Sequence, residues 1–206
     1  MKNNNKLILS VMALACLNSL NANAESFSFD TRSSLNSDTL VLFQSADSTT
    51  YGIDFLPQST QDQLNLATAD NIFSGKRGES LEILVPSEID AKRDLLVGIG
   101  DAKNLTPGDI NTIGGNVAAK LDTVPQATVR VLTQGLTAAP LFASELAHGI
   151  ELRSYRYTQF KASPRAEKNY QIAVDDLSRN QKHHKNLQAV EAGVFLARDL
   201  TNAPAD

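Results

Sequence analysis

The sequence is poor in the residues from which many small sites are built. Its 206 residues include one cysteine, Cys16, two methionines, three histidines and no tryptophan. A lone cysteine excludes a disulfide within the chain, and it excludes a metal centre built from several thiolates. Chemistry in this chain would therefore depend on imidazole, carboxylate, hydroxyl or backbone groups.

Positive charge is also scarce. The chain has 19 Lys and Arg against 23 Asp and Glu, which gives a formal net charge of −4 and a pI near 5.4. This acidity argues against nucleic acid as a partner, because phosphate binding needs a basic face. It equally disfavours attachment to an anionic membrane surface. With 42% hydrophobic residues, the composition is that of a globular protein.

The first 24 residues have the pattern of a secretory signal peptide. Lys2 and Lys6 precede an apolar run at 7–17, and an A-x-A site follows at 22–24. The run is too short to span a bilayer, so we expect no membrane span. We expect cleavage before Glu25 and export to the periplasm or beyond.

A lipoprotein signal is the alternative for this segment. Residues 13–16 (ALAC) resemble a lipobox that would lipidate Cys16, although the A-x-A site is the better match. In either case Lys2 and Lys6 lie in the signal, so the protein that follows would be more acidic. Simple cleavage would also leave a chain with no thiol nucleophile.

Strands and helices alternate along most of the chain. Apolar and alternating segments predict strands at 26–29, 39–43, 80–85, 94–98, 128–132 and 169–174, and helical spacing predicts helices at 59–69, 106–121, 138–155 and 182–200. The alternation predicts an α/β fold with a mixed, largely parallel sheet flanked by helices.

Two of these helices have defined apolar faces. The helix after Thr106 has an N-cap, a proline at its first position and an acidic first turn, and its apolar face holds Ile110, Ile113, Val117 and Leu121. For the last helix, the spacing predicts an apolar face of Leu187, Val190, Val194 and Ala197.

The histidines do not form a metal site in the sequence. His183 and His184 are adjacent and point about 100° apart on a helix, so they cannot share a metal. We interpret them as a polar helix start, and we interpret His148 as a packing residue. The acidic pair Asp175 and Asp176 is expected in a solvated loop.

Two glycine patterns are more suggestive of packing than of ligand binding. Gly98 and Gly100 resemble a phosphate-binding turn, but Lys103 replaces the third glycine and the helix starts late. A tight turn is the simpler interpretation. Gly114 and Gly115 lie inside a predicted helix and indicate close contact with the sheet.

Four segments, in order, resemble the leucyl aminopeptidase family, also called cytosol aminopeptidases or peptidase family M17. They are residues 95–106 (LLVGIGDAKNLT), 114–118 (GGNVA), 147–157 (AHGIELRSYRY) and 193–205 (GVFLARDLTNAPA). The last is the most specific, because it resembles the segment that enters the catalytic domain of these enzymes.

The resemblance implies that the chain contains two parts with different roles. Residues 25–177 would be a macro-domain-like N-terminal domain, and residues 178–206 a linker helix and the start of a catalytic domain. In the family that domain releases N-terminal residues, leucine preferred, from peptides with two divalent metal ions, Zn or Mn. Its ligands, a lysine and several carboxylates, match nothing in this sequence, so we predict no catalytic, cofactor-binding or metal residue. The family also implies a hexamer.

Two other functions stay open at this point. The chain could be a self-contained module that binds a nucleotide or ADP-ribose through backbone N–H groups at Gly98 and Gly100. It could also be an assembly partner, in which case the helix at 182–200 would expose an apolar patch.

Overall fold

The computed structural model describes residues 25–32, 34–47, 49–69, 73–125, 128–157 and 166–203. Within them the chain forms one seven-stranded sheet, in the order β1-β7-β6-β2-β5-β4 with the short β3 beside β2. The strands are β1 Ser26–Asp30, β2 Thr39–Ser45, β3 Thr50–Tyr51, β4 Ser80–Leu84, β5 Arg93–Gly100, β6 Thr128–Leu132 and β7 Asn169–Ala173.

The sheet is mixed and largely parallel, as predicted. The pairs β1–β7, β7–β6, β6–β2 and β2–β5 are parallel, while β4 and β3 pair antiparallel with β5 and β2. The long connections between parallel strands contain helices, as such connections require. Strand β3 was not predicted, because its two residues are too few to show an alternating pattern.

Four helices cover the two faces of the sheet unequally. They are α1 Gln58–Thr68, α2 Pro107–Leu121, α3 Phe142–Ser154 and α4 Leu177–Asn202. The face with Val41 and Phe43 packs against α2 and α3, whereas the face with Leu40 and Leu42 packs against Leu64 of α1. Both faces of β2 are fully buried, which explains its continuous apolar run.

Helix α2 follows its sequence signals closely. The Thr106 hydroxyl accepts from the Asp109 N–H at 3.2 Å, and the Asp109 carboxylate accepts from the Thr106 N–H at 3.0 Å. This capping box fixes the helix start. The predicted apolar face is buried at all four positions, Ile110, Ile113, Val117 and Leu121.

Glycines bring α2 and α3 into close contact. A Cβ at Gly114 would overlap the Leu146 carbonyl oxygen, and a Cβ at Gly149 would overlap that of Asn111. The prediction of close packing at Gly114 was correct, but the partner is a helix and not the sheet. Gly114 lies on the edge of α2 that faces α3, which the sequence does not reveal.

Two helix starts differ from the prediction. Helix α3 begins at Phe142, because residues 134–141 form turns that contain Pro140. Helix α4 begins at Leu177, where the Asp176 carboxylate accepts from the Arg179 N–H at 3.0 Å. Asp176 is therefore a helix cap, and Asp175 accepts from the Gly135 N–H at 2.9 Å. Both carboxylates are exposed in the loop before α4, as predicted for a solvated acidic pair, and each also accepts a hydrogen bond from a backbone N–H.

The candidate functional site in the seam between α3 and α4

Helix α4 lies beside α3 and runs in the same direction. From its start to its end, Asn180 contacts Ser144, Glu191 contacts His148, and Arg198 contacts Leu152. We call this contact, together with the β1 side chains that touch α4, the α3–α4 seam. It contains all three histidines of the chain.

His148 and Glu191 form a buried pair across the seam. The His148 Nδ1 lies 2.7 Å from the Glu191 Oε1, and both side chains are more than nine-tenths buried. Burial raises the pKa of Glu191, and the hydrogen bond from His148 acts against that rise. His148 is therefore buried, as expected, but it has an ionisable partner 43 residues away.

His183 and Glu145 form a second pair. The His183 Nε2 lies 2.7 Å from the Glu145 Oε1, and the Glu145 side chain is buried. With its amide oriented to donate, Asn111 of α2 reaches the other Glu145 oxygen at 3.0 Å and the Glu145 carbonyl at 2.8 Å. This carboxylate joins α2, α3 and α4 at one point.

His184 has a different environment. Its ring lies 5.6 Å from the Phe27 ring and 5.1 Å from the Phe29 ring of β1, and its buried Nδ1 has no hydrogen-bond partner among the described residues. Burial lowers the pKa of His184, and the nearby His148 and His183 lower it further. The two adjacent histidines do point to different neighbours, but they are not a solvated helix start.

The residues of the seam do not fit a metal centre. Among the described residues, no three His, Cys, Asp or Glu side chains converge as ligands. The carboxylate oxygens nearest His148 and His183 are engaged by those rings. The sequence missed Glu145 and Glu191 as partners, because no local spacing connects them with their histidines.

The second half of α4 keeps its charges on the inner side. Between residues 189 and 202 the charged residues are Glu191, Arg198 and Asp199. Arg198 donates to the Leu152 carbonyl at 2.8 Å and lies over the Tyr155 ring, whose hydroxyl is 2.6 Å from the Asp199 Oδ1. All three therefore face α3, and the opposite side carries no charge.

The outer side of α4 is apolar and exposed. Val190 and Leu196 are 53% exposed and Leu200 is 70% exposed, while a Cβ at Gly193 would meet no atom within 4 Å. The apolar face predicted for α4 contains no fully buried residue. Val190 and Ala197 are exposed, Leu187 and Val194 are half-buried, and the buried residues of α4 are Asn180, His184 and Glu191. Polar partners on α3 decide which side of the helix is buried.

The glycine turn at the end of β5 is occupied by the chain itself. The Gly98 N–H donates to the Glu79 carbonyl at 3.0 Å, and the Gly100 N–H donates to the Gly75 carbonyl at 2.8 Å. A Cβ at Gly98 would overlap the Lys76 carbonyl oxygen, so the glycine is needed for this approach. Neither N–H is free for a phosphate, and the turn is structural.

A small cleft of about 210 Å³ lies at the carboxyl ends of β6 and β7. Its polar lining residues include Thr133, Asp176 and Asn180. Thr133 donates to the Ala173 carbonyl and Asn180 to the Asp176 carbonyl, so these groups are satisfied by the fold. No helix in the described part of the chain is both long and apolar enough to cross a membrane.

Comparison with known proteins gives a consistent result. A sequence model described as the cytosol aminopeptidase family, N-terminal domain, matches residues 39–164. A probable cytosol aminopeptidase 1 of Shewanella oneidensis is 89% identical over 194 residues, which is 94% of this chain and 39% of the relative. A probable cytosol aminopeptidase of Sinorhizobium fredii is 34% identical over 65% of this chain and 29% of its own length. The chain thus spans about two-fifths or less of these relatives.

Solved structures show the same fold. A mutant of tomato leucine aminopeptidase superposes with a TM-score of 0.69 at 24% identity, over 90% of this chain and 40% of that one. A cytosol aminopeptidase from Coxiella burnetii superposes with a TM-score of 0.56 at 14% identity, over 86% of this chain and 33% of that one. The likeness to a macro domain stays a prediction.

The expectation of export is wrong by these comparisons. The relatives from Shewanella oneidensis and Sinorhizobium fredii are both named cytosol aminopeptidases. The prediction rested on residues 1–24, including Cys16, which lie outside the described residues. A charged start, a short apolar run and an A-x-A site are brief patterns that an N-terminus can carry without being an export signal.

The family resemblance in the sequence is confirmed by the match over residues 39–164 and by the fold: the chain belongs to the cytosol aminopeptidase family, through its N-terminal domain.

Proposed function

We propose that this chain is the non-catalytic N-terminal part of a metal-dependent aminopeptidase that releases N-terminal residues, leucine preferred, from peptides. Residues 25–177 form the domain, and residues 178–206 connect it to a catalytic domain. The family match supports this proposal, as does the 39% of the Shewanella relative that the chain covers.

The observation that carries the proposal is the two-sided character of α4. Its inner side is fixed to α3 by polar pairs, while its outer side exposes Val190, Leu196 and Leu200 without any charge. An exposed apolar surface of this kind is typical of a face that another protein part covers. A catalytic domain that follows the helix in the same polypeptide is the simplest cover.

The catalytic metals, Zn or Mn, belong to that other domain. In the described residues the histidines are paired with carboxylates or packed on rings, and no third ligand joins them. The proposal therefore gives no residue of this chain a catalytic role. Its role is to support assembly of the enzyme, a hexamer in the family, and to limit access to the active site.

The test compares the 206-residue chain with the full-length protein. We expect the chain to hydrolyse no leucine p-nitroanilide with Mn²⁺ or Zn²⁺ present, and the full-length protein to hydrolyse it with either ion. Turnover by the purified chain, lost when the metal is removed, would contradict the proposal. A full-length protein without activity would do so as well.

A nucleotide-binding module is the alternative that the structure disfavours. Both N–H groups at the glycine turn already donate to carbonyls of the chain. We expect calorimetric titration with ADP-ribose to show no heat. Micromolar binding that disappears in Gly100→Val would overturn this ranking.

A further inference from the structure

The attachment of α4 to the domain is unusual because it depends on polar groups. The buried residues of α4 are Asn180, His184 and Glu191. Its apolar residues Val190, Leu196 and Leu200 are exposed, and Phe195 is half-buried with its ring 5.3 Å from that of Tyr155. The two apolar cores contain no fully buried α4 residue, and only Leu177 packs at the margin of one. Helix α4 could therefore leave the domain without opening either core.

Among the described residues, two of the three seam histidines face a carboxylate, and His184 does not. His148 lies against Glu191 and His183 against Glu145, each at 2.7 Å. The His184 Nδ1 is buried and unpartnered among the described residues. A second proton on this ring would place a positive charge in the seam with no carboxylate to receive it.

The groups that face His184 make this charge unfavourable. Helix α3 presents His148, α4 itself presents His183, and β1 presents the uncharged rings of Phe27 and Phe29. The attraction of a cation to a phenyl ring is weaker than the cost of burying an unpaired charge. Glu145 and Glu191 already serve the other two histidines, and Asp199, further along the seam, accepts from the Tyr155 hydroxyl.

We propose that the α3–α4 seam is an acid-sensitive clasp, in which protonation of His184 releases α4 from α3 and β1 while the rest of the domain stays folded. Because α4 is the element that would continue into another domain, its release changes how the two parts are held. This inference concerns the seam alone and does not depend on the proposed activity.

The direction of the pH effect follows from linkage. The pKa of His184 is lowered in the docked helix, so its contribution to docking is present above the ordinary histidine pKa and is lost as the pH falls through the lowered value. Glu191 acts in the opposite direction. Its pKa is raised by burial, so docking gains from its protonation in acid.

Hydrogen exchange of the 206-residue chain tests the clasp. Protection of amides in α4 and α2 is measured between pH 7.5 and 5.5 and corrected for intrinsic exchange at each pH. We expect α4 protection to fall by up to about tenfold per pH unit, since release takes up one proton at His184. Protection in α2 should stay constant. A flat profile for α4, or equal losses in α2 and α4, would overturn the proposal.

Three variants separate His184 from its neighbours. His184→Phe keeps a ring on Phe27 and Phe29 but cannot titrate, so α4 protection should become independent of pH. His183→Gln is the matched control, which can still bond Glu145 and should keep the acid response. Glu191→Gln removes the carboxylate whose protonation favours docking, so α4 protection should fall more steeply with decreasing pH. An acid response as steep in His184→Phe as in the natural chain would rule out His184 as the trigger.

Discussion

At the scale of single residues, Asp94 is the least favourable group in the core. It lies in β5 with Leu40 and Ile83 as its strand neighbours, and its side chain is buried. Neither carboxylate oxygen has a hydrogen-bond partner among the described residues. Burial raises the pKa of Asp94 to about 7, so the folded protein prefers the protonated acid.

This environment gives a pH-dependent stability. Because folding raises the pKa of Asp94, this residue costs the folded state nothing below its unfolded-state pKa near 4. As the pH rises towards 7, its ionisation lowers the free energy of unfolding. In Asp94→Asn that loss disappears, so the variant should gain about 3 kcal/mol relative to the natural chain between pH 4 and pH 8. Urea unfolding at these two pH values measures the difference. If the free energies of unfolding of Asp94→Asn and the natural chain differ by the same amount at pH 4 and pH 8, Asp94 is solvated or paired.

The residues of the α3–α4 seam could not be predicted because the paired side chains are far apart in sequence. His148 and Glu191 are 43 residues apart, and His183 and Glu145 are 38 apart. Each histidine taken alone has the properties of an ordinary surface or packing residue. Only the parallel placement of α3 and α4, which is a property of the fold, brings the acids and bases together.

At the scale of elements, local signals decided most of what could be predicted. The capping box at Thr106 and the face of Ile110 and Val117 correctly predicted α2, and the apolar run of β5 correctly predicted a strand covered on both sides. For α4 the spacing predicted an apolar face, but polar contacts with α3, and not that face, decide which side is buried. Periodicity identifies an apolar side, but it does not say whether the domain or another partner covers it.

Contact between α2 and α3 leads to a prediction at this scale. In Gly114→Ala the added methyl would overlap the Leu146 carbonyl, so the helices must separate, and we expect a loss of about 2 kcal/mol. Gly193→Ala in α4 is the matched control, because nothing lies within 4 Å of its new methyl. It should gain up to about 1 kcal/mol from helix propensity. Chemical denaturation of both variants checks the contrast, and equal effects would contradict the close packing.

At the scale of the whole molecule, the outer face of α4 is an exposed apolar surface. Leu196 and Leu200 are exposed on a helix whose charges all face inward over its last third. We expect Leu196→Ser with Leu200→Ser to reduce binding of an apolar dye by this chain and to leave its unfolding free energy within about 0.5 kcal/mol. The same pair in the full-length protein should weaken the contact between domains.

Light scattering and dye binding distinguish the possible covers of this face. If the chain alone is a monomer that binds dye, the face is free and awaits the rest of the polypeptide. A dimer that binds no dye, and becomes a monomer in the double serine variant, would show that a second copy covers the face. A monomer that binds no dye would contradict the exposed face itself.

The glycine turn at the end of β5 has a thermodynamic consequence. The carbonyls of Gly75 and Glu79 already occupy the N–H groups of Gly100 and Gly98, so the chain acts as its own ligand there. A protein that binds a nucleotide is stabilised in proportion to the logarithm of the nucleotide concentration. At this turn the domain gains no stability from nucleotide. Nucleotide should therefore not raise its melting temperature through binding at this turn.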